Sequence, residues 1–325
     1  MTRGGLVDFH QHVVSPSYVR RLEAVGIQAQ PGIGFPEWSA ESSLAAMDEL
    51  GIEVSVLSTA SPGFYFGDQE FATALCRDTN DELHDVVQSS QGRFLALAAV
   101  PLPSADSAIA EIERLLDVDG FAGVSLLSNY GGSYLGDPDF DAVLAVLSGI
   151  GALVHVHPTL PPWWARDAVA LRPSLLEYVF DTSRSLMNLM LTGAHDRFPG
   201  IRWVFSHCGG VLPYVSRRLE IAEPLPELEQ VRAAGVQATL SRFGYDCALS
   251  AGPAGLGSLL TVVPPSHVVF GSDFPFVDRQ TIRAEMARLD AFAQVGGLDG
   301  LSANGRRWLG LHEGRAMTIR GSANT

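Results

Sequence analysis

Short runs of apolar residues recur along the chain, and stretches with helical spacing follow most of them. The runs are rich in Val, Ile, Leu and Phe and are mostly continuous, which is typical of parallel strands covered on both faces. They predict eight strands, at Leu6–Phe9, Glu53–Ser58, Arg93–Val100, Gly123–Leu127, Ala152–Val156, Ile201–Ser206, Phe243–Ala248 and Val268–Gly271.

Apolar positions three and four residues apart predict helices between these strands. The predicted helices are Ser42–Leu50, Asp106–Leu116, Asp139–Ile150, Ser174–Arg197, Gly210–Ala222, Ala254–Val262 and Thr281–Phe292. Strand–helix alternation of this kind predicts an α/β fold, a (β/α)8 TIM-type barrel that forms a single domain over residues 1–325. A doubly wound open sheet is the alternative. It is less favoured because no GxGxxG follows the first strand and no P-loop is present.

Two long connections, 13–39 and 158–173, are rich in Pro and Gly or in Pro and Trp. Both leave the C-terminal ends of predicted strands, where a barrel carries its active site. We therefore expect loop insertions that cover a substrate, with plain surface connectors as the alternative.

Composition narrows the classes of function. The chain has 325 residues, 46% of them hydrophobic, which suits one large barrel although two ordinary domains would also fit. The net charge of −14 argues against a nucleic-acid or polybasic membrane partner. No apolar stretch reaches the ~20 residues of a membrane span. Cys76, Cys208 and Cys247 are far apart and the first residues lack a signal-peptide pattern, so we expect a cytoplasmic protein.

Histidine or aspartate stands at the end of four predicted strands. Alternation along the first strand places His10 and His12 on one face, and His157 ends the fifth strand. His207 ends the sixth, and Asp273 follows the eighth. C-terminal ends of parallel barrel strands meet at one rim, so His10, His12, His157 and Asp273 are expected to converge on one divalent metal ion.

Two of the histidines have more than one interpretation. We favour a general acid or base role for His207, with a metal ligand or a buried structural histidine as alternatives. His155 shares the face of His157 but lies one layer deeper. It is interpreted as a packed or supporting histidine rather than a ligand.

Four motifs that carry these residues, DFHQH, VHP, SHCGG and GSDFP, resemble the amidohydrolase superfamily. Within it they resemble the decarboxylase branch that contains aminocarboxymuconate-semialdehyde, γ-resorcylate and 6-methylsalicylate decarboxylases. The stretches PEWS, NYGG and VPPSH are similar to the 6-methylsalicylate type.

The resemblance implies a homodimer with one divalent ion, usually zinc and sometimes manganese. It implies that His10, His12, His157 and Asp273 bind the ion and that His207 assists proton transfer. Hydrolytic members often carry a carbamylated lysine on strand four that bridges two metals. The fourth run here, GVSLLSN, contains no lysine, which favours one metal and the decarboxylase branch.

The leading hypothesis is a carbon–carbon lyase, a metal-dependent non-oxidative decarboxylase of a hydroxylated, salicylate-like aromatic acid. Asp273 would deliver a proton to the ring carbon that bears the carboxylate. Burial raises the pKa of such a carboxyl group and a metal lowers it, and the sequence leaves the balance open. A metal-dependent hydrolase of a lactone, amide or ester is the second hypothesis, and a non-catalytic ligand-binding barrel is the third.

Several further side chains are candidate contacts to a small aromatic carboxylate. Asn129 and Tyr130 end the fourth strand, Arg184 can meet a carboxylate or pair with Asp181, and Glu37 is a candidate lid residue. Ordinary packing is the alternative for each aromatic candidate. The aromatic candidates are Phe64, Tyr65, Phe66, Trp163, Trp164 and Phe274.

Overall fold

A computed structural model describes residues 5–166, 170–311 and 319. Eight parallel strands form one sheet in the order β1-β2-β3-β4-β7-β8-β9-β10, and β5 pairs antiparallel with β6 in a small hairpin. The strands are β1 Leu6–His12, β2 Ile52–Ser58, β3 Phe94–Ala99, β4 Phe121–Leu127, β5 Asn129–Tyr130, β6 Ser133–Tyr134, β7 Leu153–His157, β8 Arg202–Phe205, β9 Gly244–Asp246 and β10 Val268–Val269.

The segment that follows β10 closes the sheet onto β1. The amide of Phe9 donates to the carbonyl of Phe270 at 2.8 Å, and the amide of His12 donates to the carbonyl of Phe274 at 2.7 Å. Gln11 and Phe274 form a parallel bridge. The protein is therefore a (β/α)8 TIM barrel, which confirms the predicted fold and excludes the open sheet.

Helices flank the barrel strands and supply the outer layer. Within the described ranges, no helix is both long enough and apolar enough to cross a membrane. The helices are α1 Pro16–Ala24, α2 Ala40–Leu50, α3 Gln69–Ser89, α4 Ala105–Leu115, α5 Asp141–Gly149, α6 Glu177–Leu191, α7 Ala194–Arg197, α8 Leu212–Ala222, α9 Glu229–Arg232, α10 Val236–Leu240, α11 Arg279–Asp290 and α12 Gly297–Leu309.

Two connections contain more helix than the sequence analysis expects. The segment 13–39, predicted as a loop, contains α1, because Ser15 caps the helix and Pro16 occupies its first turn. The 21-residue α3 was not predicted. Its N-terminus is capped by Asp68, and its buried face is made of small and polar as well as apolar residues.

Two predicted helices are interrupted. The helix predicted over Ser174–Arg197 breaks at Gly193, whose φ of 67° is left-handed, and α7 begins after it. The helix predicted over Ala254–Val262 begins as a π-helical turn at Pro253–Gly257 and ends early, because α-helical residues continue only through 258–259. In the predicted loop 158–173, one 3-10 turn covers Trp164–Arg166, and 167–169 lie outside the described residues.

Apolar side chains fill the N-terminal part of the barrel and leave its C-terminal mouth to polar groups. Leu309, at the end of α12, belongs to this interior cluster, and Trp308 packs against it. A larger cluster lies between the strands and the surrounding helices. The interior cluster consists of Val7, Phe9, Val56, Leu95, Leu97, Ala122, Leu153, Val204, Val269 and Leu309.

Candidate active site

A bulge in β1 directs two histidines into the mouth of the barrel. The register between β1 and β2 shifts between Asp8 and Gln11: Asp8 pairs with Ser55 and Gln11 with Leu57, so three steps along β1 match two along β2. Val7 and Phe9 face the interior, and simple alternation would send His10 to the opposite face. The bulge resets the alternation, so His10 also enters the interior and His12 follows it.

Four side chains converge at the mouth. His10, His12, His157 and Asp273 each offer a ligand atom, and these atoms all lie within 4.8 Å of one another. The Nε2 atoms of His10 and His12 are 2.9 Å apart, and Oδ1 of Asp273 lies 3.0 Å from Nε2 of His12 and 3.6 Å from Nε2 of His10. Ligands held about 2.1 Å from one ion have about this separation.

In each of the three imidazoles, the hydrogen-bond partner of Nδ1 shows which ring nitrogen carries the proton. Nδ1 of His12 lies 3.3 Å from the carbonyl of Ser58, and Nδ1 of His157 lies 2.8 Å from the carbonyl of Pro158. A carbonyl only accepts, so both Nδ1 atoms carry hydrogen. Nδ1 of His10 likewise donates to a carboxylate, that of Asp246, at 2.9 Å.

Three Nε2 lone pairs therefore point toward each other and toward the carboxylate of Asp273. Such a set contains no donor, and a buried cation satisfies all four groups at once. The residues fit one divalent metal ion.

Electrostatics favour the ligand form of each group. Burial lowers the pKa of His10 to about 4 and, with the neighbouring His12, holds the pKa of His157 well below 6.5. Burial alone would raise the pKa of Asp273, but His12 and His10 bring it below its usual value. At neutral pH, His10 and His157 are uncharged and Asp273 is ionised, as metal coordination requires.

The backbone at Asp273 and His207 is held in a conformation that favours glycine. Their φ angles are 60° and 55°, in the left-handed region. Oδ1 of Asp273 faces His10 and His12, whereas Oδ2 lies 3.7 Å from Nε2 of His207. One oxygen of the carboxylate thus faces the imidazoles of His10 and His12, and the other faces the imidazole of His207.

Close backbone contacts support this arrangement. A Cβ atom at Gly271 would lie 2.7 Å from Cβ of His10, so glycine lets the chain after β10 approach β1. Asp8 then joins the two segments, because its Oδ1 accepts from the amides of His10 and Ser272 at 3.1 and 3.0 Å.

Three functional candidates were missed by sequence reasoning. Asp246 lies directly behind His10, and its signal was a charged residue inside the apolar run Phe243–Ala248. The buried ring of Tyr178 packs edge-on against His157, with centroids 6.1 Å apart, and half-buried Phe276 packs against His12 at 5.4 Å. No local pattern singled out either aromatic ring.

A cavity of about 480 Å³ opens over the ends of β2, β3, β4 and β7, at the same rim of the barrel as the four-residue cluster. Ser61 and Thr159 line it, and their hydroxyls are 2.9 Å apart. Thr159 comes directly after Pro158, whose carbonyl accepts the hydrogen bond from Nδ1 of His157. None of the lining residues carries a charge. Of the predicted contacts, Phe64, Tyr65, Phe66, Asn129 and Tyr130 line this cavity.

Asn129 is committed to other groups within the protein. Its amide donates to Asp181 at 2.8 Å, and its carbonyl oxygen accepts from the amide of Gly132 at 3.2 Å. Asp181 also accepts from Ser128 and from Tyr134. Asn129 therefore holds the β5–β6 hairpin against α6, and its side chain is 2% exposed.

The remaining predicted contacts do not line this cavity. Trp163 is 40% exposed and packs near Tyr134. Arg184 is exposed on α6 and interacts with Tyr134 and with Asp181. Glu37 is exposed beside a shallow surface depression. Phe274 packs into the core between strands and helices, and Trp164 lies in the 3-10 turn of the loop after β7.

Comparison with known proteins identifies the family. The model of the family described as amidohydrolase matches residues 7–310. The chain belongs to the amidohydrolase family. This result confirms the resemblance drawn from the four motifs, and the family match includes every residue of the ligand cluster.

Proteins named as decarboxylases are among the relatives of this amidohydrolase. A 6-methylsalicylic acid decarboxylase of Aspergillus aculeatus is 31% identical over 286 residues, which cover 85% of this chain and 86% of that protein. Among solved structures, one described as amidohydrolase II has a TM-score of 0.87 and 26% identity, covering 94% of this chain and 99% of that one.

A dihydroxybenzoic acid decarboxylase from Polaromonas sp. JS666, solved with bound manganese and the inhibitor 2-nitroresorcinol, has a TM-score of 0.82. It is 18% identical, and the alignment covers 96% of this chain and 98% of that one. At 18% identity, this similarity shows a shared fold and nothing more.

Proposed function

We propose that this amidohydrolase is a metal-dependent carboxy-lyase that removes carbon dioxide, without oxidation, from a hydroxylated, salicylate-like aromatic acid. The observation that carries the proposal is the convergence of three imidazole lone pairs and the carboxylate of Asp273 at the barrel mouth. The similarity to a 6-methylsalicylic acid decarboxylase over most of the chain supports the choice of reaction.

His10, His12, His157 and Asp273 would hold a single divalent ion. When bound, the ion supplies a positive charge that neutralises and orients an aromatic acid carrying a neighbouring hydroxyl group. The chain contains no lysine, because its 22 basic residues are all arginine, so the carbamylated lysine of two-metal relatives cannot form. This supports one ion rather than two.

Proton movement is assigned to Asp273 and His207. Asp273 is ionised at neutral pH, so its Oδ2 first takes the proton of the substrate hydroxyl group. It then delivers this proton to the ring carbon that bears the carboxylate. The C–C bond breaks, carbon dioxide leaves, and the bonding electron pair restores the aromatic ring as a phenolate. His207, 3.7 Å from Oδ2, relays a proton from solvent that neutralises the phenolate.

The uncharged cavity suits the rest of an aromatic ring. Its volume of about 480 Å³ lies in the range of small-molecule sites, and Phe64, Tyr65 and Tyr130 supply apolar surface for a flat ring. We assign the acid and hydroxyl groups to the metal side and the neutral ring edge to this cavity. Asn129, Trp163, Arg184, Phe274 and Glu37 remain candidates for substrate contact, and Tyr178 and Phe276 are added to them.

The finer assignments are proposals as well. Three imidazoles and one carboxylate suit zinc, while the manganese in the Polaromonas structure supports manganese as the alternative. A homodimer is proposed from the family resemblance and from exposed Tyr214 and Ile221 on α8, which are 82% and 68% accessible. A cytoplasmic location is supported by three buried, unpaired cysteines.

Release of carbon dioxide tests the proposed reaction. Metal-free protein is reconstituted with Zn²⁺ or Mn²⁺ and offered salicylate, 6-methylsalicylate and 2,6-dihydroxybenzoate, with benzoate as the control that lacks the hydroxyl group. We expect metal-dependent carbon dioxide from at least one hydroxylated acid and none from benzoate. Silence with all of them, together with hydrolysis of aromatic lactones, would replace the proposal by the hydrolase alternative.

A further inference from the structure

Asp246, at the end of β9, is completely buried and receives four hydrogen bonds. Its Oδ2 lies 2.9 Å from Nδ1 of His10 and 2.8 Å from Nε2 of His155. Its Oδ1 accepts from the backbone amides of His207 and Ala248, both at 3.1 Å. One carboxylate therefore connects β1, β7 and the chain segments that follow β8 and β9.

We propose that Asp246 is the positioning residue that prepares His10 to bind the metal and fixes His207 for proton transfer. The first role depends only on the metal site, and the second rests on the proposed function. Asp246 itself is too deeply buried to touch a substrate.

The first role follows from hydrogen-bond chemistry. A carboxylate is an acceptor only, so the proton of neutral His10 must stay on Nδ1 and the lone pair on Nε2. Nε2 is the atom that lies 2.9 Å from Nε2 of His12 in the ligand cluster. A donor in place of Oδ2 would favour the opposite tautomer and put a hydrogen where the metal should be.

The second role concerns the backbone. His207 has a left-handed φ of 55°, and so does the next residue, Cys208, at 56°. These conformations persist only where surrounding contacts enforce them. Nδ1 of His207 has no hydrogen-bond partner among the described residues, so the bond from its own amide to Asp246 is a main anchor of its position.

Two substitutions separate the roles. In Asp246→Asn, the side-chain oxygen of the new asparagine can still accept from the backbone amides of His207 and Ala248. Those amides can only donate, so they fix which end of the asparagine side chain faces them. The new NH₂ group then faces His10 and His155, whose rings can change tautomer. Asp246→Asn therefore removes the first role and keeps the second, whereas Asp246→Ala removes both.

The experiment measures Mn²⁺ affinity by chelator competition, together with the electron paramagnetic resonance spectrum of bound Mn²⁺. We expect the dissociation constant to rise at least about tenfold in Asp246→Asn, with an altered spectrum. Asp246→Glu keeps an acceptor-only group and should recover part of the lost affinity. At saturating Mn²⁺, Asp246→Ala should have a lower kcat than Asp246→Asn.

Asp181→Asn is the matched control, because Asp181 is equally buried but bonds to Ser128, Asn129 and Tyr134 instead of the ligand cluster. It should keep wild-type Mn²⁺ affinity even where it loses stability. Wild-type affinity in Asp246→Asn, or equal losses in both Asn variants, would overturn the positioning of His10. Equal kcat in Asp246→Ala and Asp246→Asn would overturn the role toward His207.

The outcomes separate this inference from the proposed reaction. Mn²⁺ affinity does not depend on which reaction the protein catalyses. Weak metal binding in Asp246→Asn combined with no carbon dioxide from wild type would preserve the positioning of His10 and reject the decarboxylase.

Discussion

Asp246 and Asp181 are both fully buried carboxylates near the barrel mouth, yet their surroundings differ in kind. Imidazoles and backbone amides bind Asp246, whereas two hydroxyls and one side-chain amide bind Asp181. Burial raises the pKa of Asp181 above 3.8, and its three hydrogen-bond donors and the charge of Arg184 only partly offset this. Burial acts on Asp246 too, but His10 and His155 hold its pKa well below 3.8.

The difference shows that burial alone does not identify a functional carboxylate. Asp246 accepts a hydrogen bond from His10, a candidate metal ligand, so we expect a substitution of Asp246 to affect metal binding. Asp181 joins α6 to the β5–β6 hairpin and the loop after β7, so a change there is transmitted to packing. We expect substitutions at Asp246 to change metal affinity and turnover, and substitutions at Asp181 to change stability.

The largest effect is expected at the ligand that also moves a proton. In Asp273→Asn, the amide cannot carry the proton from the substrate hydroxyl to the ring carbon. We expect turnover to fall by at least about 100-fold, measured as carbon dioxide release at saturating metal. Activity near that of wild type would remove Asp273 from the mechanism.

A large effect on metal binding is expected at His157. His157→Ala deletes one of three imidazole ligands, so the Mn²⁺ dissociation constant should rise at least about tenfold. Thermal unfolding of the metal-free forms checks that the variant is folded. Unchanged stoichiometry and affinity would count against His157 as a ligand.

Asp181→Asn should act on stability and leave metal affinity intact. Donors to Asp181 lose an acceptor, and we expect the free energy of unfolding to fall by about 1–3 kcal/mol. Urea denaturation of the metal-free protein measures the loss. A tenfold weakening of Mn²⁺ binding would erase the contrast with Asp246.

The same variant carries a pH signature. The folded pKa of Asp181 is raised above 3.8, so its contribution is fully present below pH 3.8 and is lost as pH rises through the folded value. Asparagine does not titrate. The stability advantage of wild type over Asp181→Asn should therefore be greatest at pH 4 and shrink toward pH 8, and an advantage that grows with pH would contradict the assignment.

The smallest effect is expected at Tyr134. Its hydroxyl donates to Asp181 at 2.7 Å, and Tyr134→Phe removes only this one of three donors. We expect a loss of about 0.5–1.5 kcal/mol in urea denaturation, with unchanged Mn²⁺ affinity. A larger loss of unfolding free energy than in Asp181→Asn would contradict this, because it would show that Tyr134 stabilises the fold by more than its hydrogen bond to Asp181.

The barrel strands were predictable because each is buried on both faces and reads as a continuous apolar run. The rim residues His10, His12, His157 and Asp273 were predictable because strand ends of a barrel meet at one mouth. Helix α1 was missed because Pro16 was interpreted as a loop signal, although proline is also favoured in the first turn of a helix.

The rest depended on contacts between distant parts of the chain. The bulge in β1 becomes visible only when its register against β2 is known, and Asp246 meets His10 across 236 residues. Asn129 stays a predicted substrate contact, but its amide also donates to Asp181, 52 residues away, and local sequence does not show this bond. Local sequence shows which groups are present and does not show which of them are already satisfied.

The most direct test is a crystal of the metal-loaded protein measured at the absorption edge of zinc or manganese. The account predicts one anomalous peak per chain, about 2.0–2.3 Å from Nε2 of His10, His12 and His157 and from Oδ1 of Asp273. No peak there, or a single peak bound elsewhere in the protein, would contradict it.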